Sequence, residues 1–341
     1  MTDLPITPRE NWLRLLRGET PLWTPMFSDT TLILPRIIPD NIARAMVIEA
    51  DPVPEAEGGG PDMFGIPWVY VPTVHGSMED PNEPHILDDI SEWREKVKFP
   101  DMDAWDWEGA AERNKSFIDR SKYVATWFFT GMFERLISFM GFEEAAMTLI
   151  DDDCEDDLNG LCSALADNAI EFLRRMKKWF DIDGVFYHDD WGSQRAPFFS
   201  VSTAGEKLAP HIRRIVDFCH ENGMYFEFHC CGKNEPLVPA MVEMGIDMWN
   251  GQQMNDKKML YETYGDKFAI GESLLWGQDS TVEGVKQQID EIIEYVAPEC
   301  LTKRMYFQEL FMGPGVPAEE LKDYIRQRTM EMYANAKKAA E

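Results

Sequence analysis

Positive charge is scarce in this sequence: 33 Lys and Arg stand against 61 Asp and Glu, a formal net charge of −28. A surface of that sign repels phosphate backbones and anionic headgroups, which argues against nucleic acid and membrane as partners. Cysteine is sparse as well. Six in 341 residues do not make a disulfide scaffold, and a bridge between the adjacent Cys230 and Cys231 would be strained. No apolar run approaches the roughly 20 residues of a membrane span. The opening stretch MTDLPITPRENWLRLLRGETPLW carries no apolar segment of signal-peptide type. The expectation is a soluble cytoplasmic protein with reduced thiols. Internal repeats and low-complexity tracts are missing. So is a glycine-rich phosphate turn after the first strand, which argues against a doubly wound dinucleotide fold.

What is present is enough apolar material for a large core, 44% of the chain. Near the start, Pro8 to Arg17 fits a short amphipathic helix with Thr7 as its N-cap. The stretch DPVPEAEGGGPDMFGIPWVYVP is loop-like, but its aromatics imply packing onto the body. From about residue 121 the pattern becomes regular. Apolar strands KYVATWFF, DGVFYHDDW, MYFEFHCC, IDMWNG, KFAIGE and RMYFQEL alternate with helical segments, and LWTPMF is a further candidate strand. Alternation of this kind implies parallel β-α units. Seven or eight units predict an α/β fold, a (β/α)8 TIM barrel. The chain reads as one domain over 1–341, with an irregular, partly helical N-terminal extension over 1–75.

Chemistry concentrates at strand ends. In MYFEFHCC, period-two alternation puts Glu227, His229 and Cys231 on one face and Phe226, Phe228 and Cys230 on the other. The polar set is the natural lumen set, at the end where barrel enzymes place their chemistry. A histidine and a cysteine two apart can both reach one soft divalent ion. The same pattern also fits a core histidine beside an inert thiol. In YHDDWGSQ, Asp189 shares a face with Val185 and Tyr187, and Asp190 with His188; either carboxylate could cap a turn or serve as an acid. In YFQELFMGPG, Gln308 or Glu309 should face inward. An aromatic group at TWFFTGMF, with Trp127, Phe128, Phe129, Met132 and Phe133, joined by Trp191 and Phe198, is either core or an apolar slot for a ring. Arg195 is either a surface arginine or the partner of a substrate carboxylate.

Several stretches together resemble the uroporphyrinogen decarboxylase-like superfamily of (β/α)8 barrels over nearly the whole chain. They are TPRENWLRLLRGETPLWTPMF, DMFGIPW, LDDISEWREKVKFPDMD, DGVFYHDDWGSQRAPFFS, HCCGKNEPLVPAMVEMGIDMWNGQQMND and YGDKFAIGE. The decarboxylases themselves carry an arginine-rich element after the first strand, where this chain has TPMFSDTTLILPRI with a single Arg36. The other large branch comprises corrinoid-dependent methyltransferases, whose hallmark H-x-C-G matches His229, Cys231 and Gly232. Those that pass methyl to a thiol add a distant cysteine near the last strand. This chain has FQELFMGPG there, so the resemblance implies Glu309 as third ligand of a zinc ion held by His229 and Cys231.

That harder ligand set is closer to the relatives that demethylate aryl methyl ethers. The stretches HDDWGSQ and NGQQMND are similar to theirs, and bring Gln194, Gln253 and Asn255 in as substrate-binding residues. The resemblance thus implies transfer of a methyl group from a methoxylated aromatic compound to the Co(I) of a corrinoid carried by a partner protein. Asp189, Asp190 or Glu227 would be the acid, with His229 in the catalytic set. Transfer from a methyl-corrinoid to a thiol or tetrahydrofolate, a cofactor-free decarboxylation, and ligand binding without catalysis are the alternatives.

Overall fold

The structure, a computed structural model, describes residues 4–73, 76–310 and 316–341. Residues 311–315 of the expected strand-end stretch YFQELFMGPG lie outside these. The chain divides into two compact units: Met1–Thr31, Arg120–Tyr123 and Asp247–Glu341 form one, and Leu32–Asp119 with Val124–Ile246 the other.

Ten strands are described: β1 (Thr30–Leu32), β2 (Gly59–Pro61), β3 (Pro67–Val71), β4 (Gly76–Glu79), β5 (Tyr123–Phe128), β6 (Gly184–His188), β7 (Tyr225–Cys230), β8 (Met248–Gly251), β9 (Ala269–Leu275) and β10 (Met305–Leu310). In the second unit β5 pairs β6 in parallel, and β6 pairs β7 in parallel with His188 beside His229. In the first unit β8, β9 and β10 are likewise parallel neighbours. Helices follow these strands in alternation, as in Ala209–Glu221 after β6 and Val282–Val296 after β9. The chain is an α/β protein of the TIM-barrel type, as the spacing of apolar segments predicts.

Local chemistry explains most boundaries. The helix Pro8–Leu16 starts where Thr7 Oγ1 accepts the amide N–H of Glu10 at 3.1 Å, with proline in its first turn. The long helical region expected after β5 breaks into Met132–Met140, Phe142–Thr148 and Glu155–Phe180. Gly141, at φ +85°, makes the first break, since an L side chain there would be strained. The stretch LWTPMF forms no strand. Only Met26 bridges to Phe307, and Phe27–Asp29 is a 3₁₀ turn. The Pro/Gly-rich segment, expected as a packed loop, contributes β2 and β3 to an antiparallel sheet completed by β4.

In the second unit the core lies between the strands and their helices. Phe128 packs on Phe172 of Glu155–Phe180 and on Tyr187 of β6 (centroids 5.2 and 5.5 Å). Ile212, Val216 and Cys219 of Ala209–Glu221 are fully buried. Phe128, Val185, Tyr187, Phe226, Phe228 and Cys230 therefore face the helices, and Trp127, Phe186, His188, Glu227 and His229 face the opposite side.

Candidate metal centre and adjoining cavity

Register sets the first contact of the site. Because His188 and His229 are partners on β6 and β7, their rings stack, with centroids 4.7 Å apart and planes at 25°. Phe186 lies under His229 at 5.1 Å, and Trp127 packs edge-on to Phe186 at 4.3 Å. An aromatic floor thus fixes both imidazoles.

The loops beyond the strands bring the remaining donors. Gly232 takes φ +91°, and a Cβ there would meet the carbonyl oxygen of Gly192 at 2.2 Å, so only glycine lets the two loops touch. Lys233 N–H then donates to the Ser193 carbonyl at 2.8 Å, and Cys231 N–H to Asp190 Oδ1 at 2.7 Å. His229 Nε2 lies 3.2 Å from Cys231 Sγ. Asp190 Oδ1 is 3.9 Å from Nε2 of both His188 and His229. One donor atom from each of His188, Asp190, His229 and Cys231 lies within 4.8 Å of the others.

This group can hold a metal ion. Two imidazoles, one carboxylate and one thiol are the N, O and S donors that a borderline ion such as zinc accepts in a tetrahedral set. Glu134 supports it from behind, its carboxylate 2.8 Å from His188 Nδ1, leaving Nε2 for the ion. A carboxylate on the far nitrogen of a ligating histidine is the usual orienting partner.

The electrostatics are consistent with that arrangement. Burial alone would raise the Glu134 carboxyl, but His188 and Arg44 hold it down to about 2. Burial lowers His188, and Glu134 outweighs it to give a net rise. Asp190 and Cys231 are both pushed up, chiefly by burial. A bound cation would reverse those last two shifts.

A cavity of about 720 Å³ opens beside the group, with Glu134 and Asp190 in its wall. Trp68, Ile66 and Ile137 supply apolar surface, and Arg44, Glu79, Asp80 and Glu83 its charges. The Arg44 guanidinium lies over Trp68 (4.7 Å) and Phe129 (5.3 Å) and 3.7 Å from Glu134.

Among the residues singled out from sequence, His229, Cys231 and Asp190 come together in this group. Glu309 is a correction. Its oxygens accept the N–H groups of Phe27 (2.9 Å) and Ser28 (2.7 Å), and it is not in the group; His188 and Asp190 supply the further donors. Of the two readings open for Asp189, a cap or an acid, the structure shows a cap. Fully buried on the helix side, it accepts the N–H groups of Phe133 (3.1 Å), Glu134 (2.9 Å) and Trp191 Nε1 (2.9 Å). It caps the helix Met132–Met140 and so aims Glu134 at His188. Phe128, Met132 and Trp191 are core side chains, not a ring slot. Gln194 and Arg195 are exposed on a turn, away from the cavity lining. Glu227 is half-buried on the same face as His229. In the other unit, Gln253 and Asn255 line a separate cavity of about 460 Å³ with Lys257, Glu272 and Tyr295.

Sequence reasoning missed three residues. His188 shares a face with Asp190, and that alternation was the available signal. Glu134 and Arg44 carried none, since only the fold brings helix Met132–Met140 and residue 44 to the strand ends.

No family profile matches the sequence, and no curated protein matches it. Among solved structures, a methyltransferase from Methanosarcina mazei aligns at TM-score 0.65 and 13% identity, over 96% of this chain and 99% of that one. A sugar phosphate isomerase/epimerase from Parabacteroides distasonis aligns at TM-score 0.36 and 10% identity, over 74% and 82%. A family 2 AP endonuclease from Brucella melitensis aligns at TM-score 0.38 and 11% identity, over 65% and 84%. The Methanosarcina mazei likeness is one of fold, and extends over nearly the full length of both chains.

Proposed function

We propose that this chain is a methyltransferase that moves the methyl group of a methoxylated aromatic compound to the Co(I) of a corrinoid held by a partner protein. The observation that carries the reading is the four-donor group His188, Asp190, His229 and Cys231, whose Asp190 also lines a cavity large enough for a substituted benzene ring. The fold likeness to the Methanosarcina mazei methyltransferase supports it.

In this reaction the O–CH₃ bond breaks, and both its electrons stay on the aryl oxygen. The C–Co bond forms with the electron pair of Co(I). The phenol departs with a proton. A zinc ion in the group would supply Lewis acidity at the ether oxygen. The chain's own residues supply the rest. Glu134 fixes the His188 tautomer, and Asp190, hydrogen-bonded to Cys231 N–H, fixes the loop that carries the thiol. Glu227 is the carboxyl left on that strand face and is assigned the proton donor. Trp68 and the neighbouring aliphatics give the ring an apolar surface. A carboxylate in the donor set makes a harder, less thiophilic site than an all-sulfur one, which favours an oxygen ligand over a thiol acceptor.

The test is to mix the protein with zinc, reduced cobalamin or a corrinoid protein, and a panel of methoxyphenols and methoxybenzylamines. Loss of the Co(I) absorbance, growth of the methyl-cobalt spectrum and release of the demethylated phenol are expected. Glu227→Gln should slow transfer by about 10²- to 10⁴-fold. If thiols accept methyl from methyl-cobalamin while no methoxyaromatic donates one, the chain works in the reverse half-reaction and the reading is wrong.

A further inference from the structure

The wall of the cavity beside the metal group is charged in one sense. Five carboxyl side chains line it, from Glu79, Asp80, Glu83, Glu134 and Asp190, against one guanidinium, that of Arg44. That single positive charge is already matched. Arg44 lies 3.7 Å from Glu134, with its flat faces over Trp68 and Phe129. The next guanidinium, Arg135, is buried and committed to Asp40 (2.9 Å) and Asp62 (2.5 Å). No further lysine or arginine stands among the described residues of the wall, Asp190 being taken up by the metal group.

Glu79 is the opposite case. It lines the cavity from β4, opposite Trp68 on β3, and its side chain makes no hydrogen bond or ion pair with a described residue. Burial pushes its carboxyl upward. The guanidinium groups of Arg135 and Arg44 act on it in the opposite sense but do not outweigh burial, so a desolvation cost is left that a cationic ligand in direct contact would offset. Trp68 beside it offers an aromatic face of the kind that favours cations.

We propose that the cavity takes a methyl donor whose ring bears an ammonium group, with Glu79 as its counter-ion, and that it rejects carboxylate-bearing analogues. The inference rests on the methyl-transfer reading for the word donor. The charge selectivity itself is a property of binding and stands or falls without turnover.

Three near-isosteric rings separate the possibilities: para-methoxybenzylamine, a cation at neutral pH; para-methoxybenzyl alcohol, neutral; and para-methoxybenzoate, an anion. Calorimetric titration of the full chain, without corrinoid, should rank them amine, alcohol, benzoate, with steps of about tenfold. Glu79→Gln should bring the amine down to the affinity of the alcohol. Glu79→Lys should invert the order, a result that misfolding cannot produce. Benzoate binding as tightly as the amine overturns the proposal. So does an amine preference that survives in Glu79→Gln, and so does failure of all three to bind. A chain that binds the amine selectively yet demethylates nothing would refute the methyl-transfer reading and leave the cation site standing.

Discussion

At the scale of single residues, the metal group rests on a division between two adjacent thiols. Cys231 turns toward His229 and Asp190, while Cys230 is fully buried on the helix side, its sulfur 3.2 Å from the Trp191 N–H. Zinc content after dialysis should therefore fall well below one per chain in His188→Ala and in Cys231→Ser. It should stay at one in Cys230→Ser, whose change is nearly isosteric. Elemental analysis of the three proteins decides it, and loss of metal from Cys230→Ser alone would sink the assignment. The half of this group on β7 was legible in advance, because period-two alternation fixes which of two neighbouring cysteines joins His229. The rest was not. His188 enters only when the β6–β7 register sets it beside His229, and no single-strand pattern carries a register. Glu309 was misplaced for the same reason. Alternation says that either it or Gln308 faces the helices, and the N–H groups of Phe27 and Ser28, remote in sequence, take Glu309.

At the scale of elements, buried charge ties segments together in each unit. In the second, Arg135 of the helix Met132–Met140 holds Asp40 and Asp62, and Asp189 caps the same helix from the strand end. In the first, Lys257 Nζ donates to the carbonyls of Gly251 and Gly271, both at 2.6 Å, and so clasps β8 to β9. Burial lowers this ammonium from 10.5 to about 8, with Glu272 opposing. The sign follows from proton binding. Between about pH 8 and 10.5 the unfolded chain binds a proton at Lys257 that the native chain does not, so native stability rises with pH across that window. The stability difference between wild type and Lys257→Met should shift toward wild type there, by on the order of 3 kcal/mol. Urea midpoints at the two ends of the window measure it, and a difference that does not move with pH refutes it. Elements of this kind were legible where apolar periodicity is strong, as in Val282–Val296, and lost where backbone chemistry obscures it. The sheet of β2, β3 and β4 carries Gly59, Gly60, Pro61 and Pro67, residues that ordinarily mark loops. Cross-strand pairing, not sequence propensity, makes those residues strands.

At the scale of the whole molecule, the excess of carboxylates acts on association before any contact forms. A formal charge of −28 sets up a negative potential that a partner must cross. If the methyl acceptor is a corrinoid protein, productive docking requires it to present a neutral or basic face, since like-charged surfaces disfavour encounter. The steering is screened by salt. The Debye length shrinks from about 30 Å at 0.01 M to about 8 Å at 0.15 M ionic strength. For a partner with a basic face, the association rate should therefore drop by about tenfold or more over that range, while the dissociation rate changes little. Stopped-flow mixing of the chain with the reduced corrinoid protein at a series of salt concentrations reads both rates. An association rate that climbs with salt would mean that two acidic faces meet, and that short-range apolar contact, not charge, selects the partner.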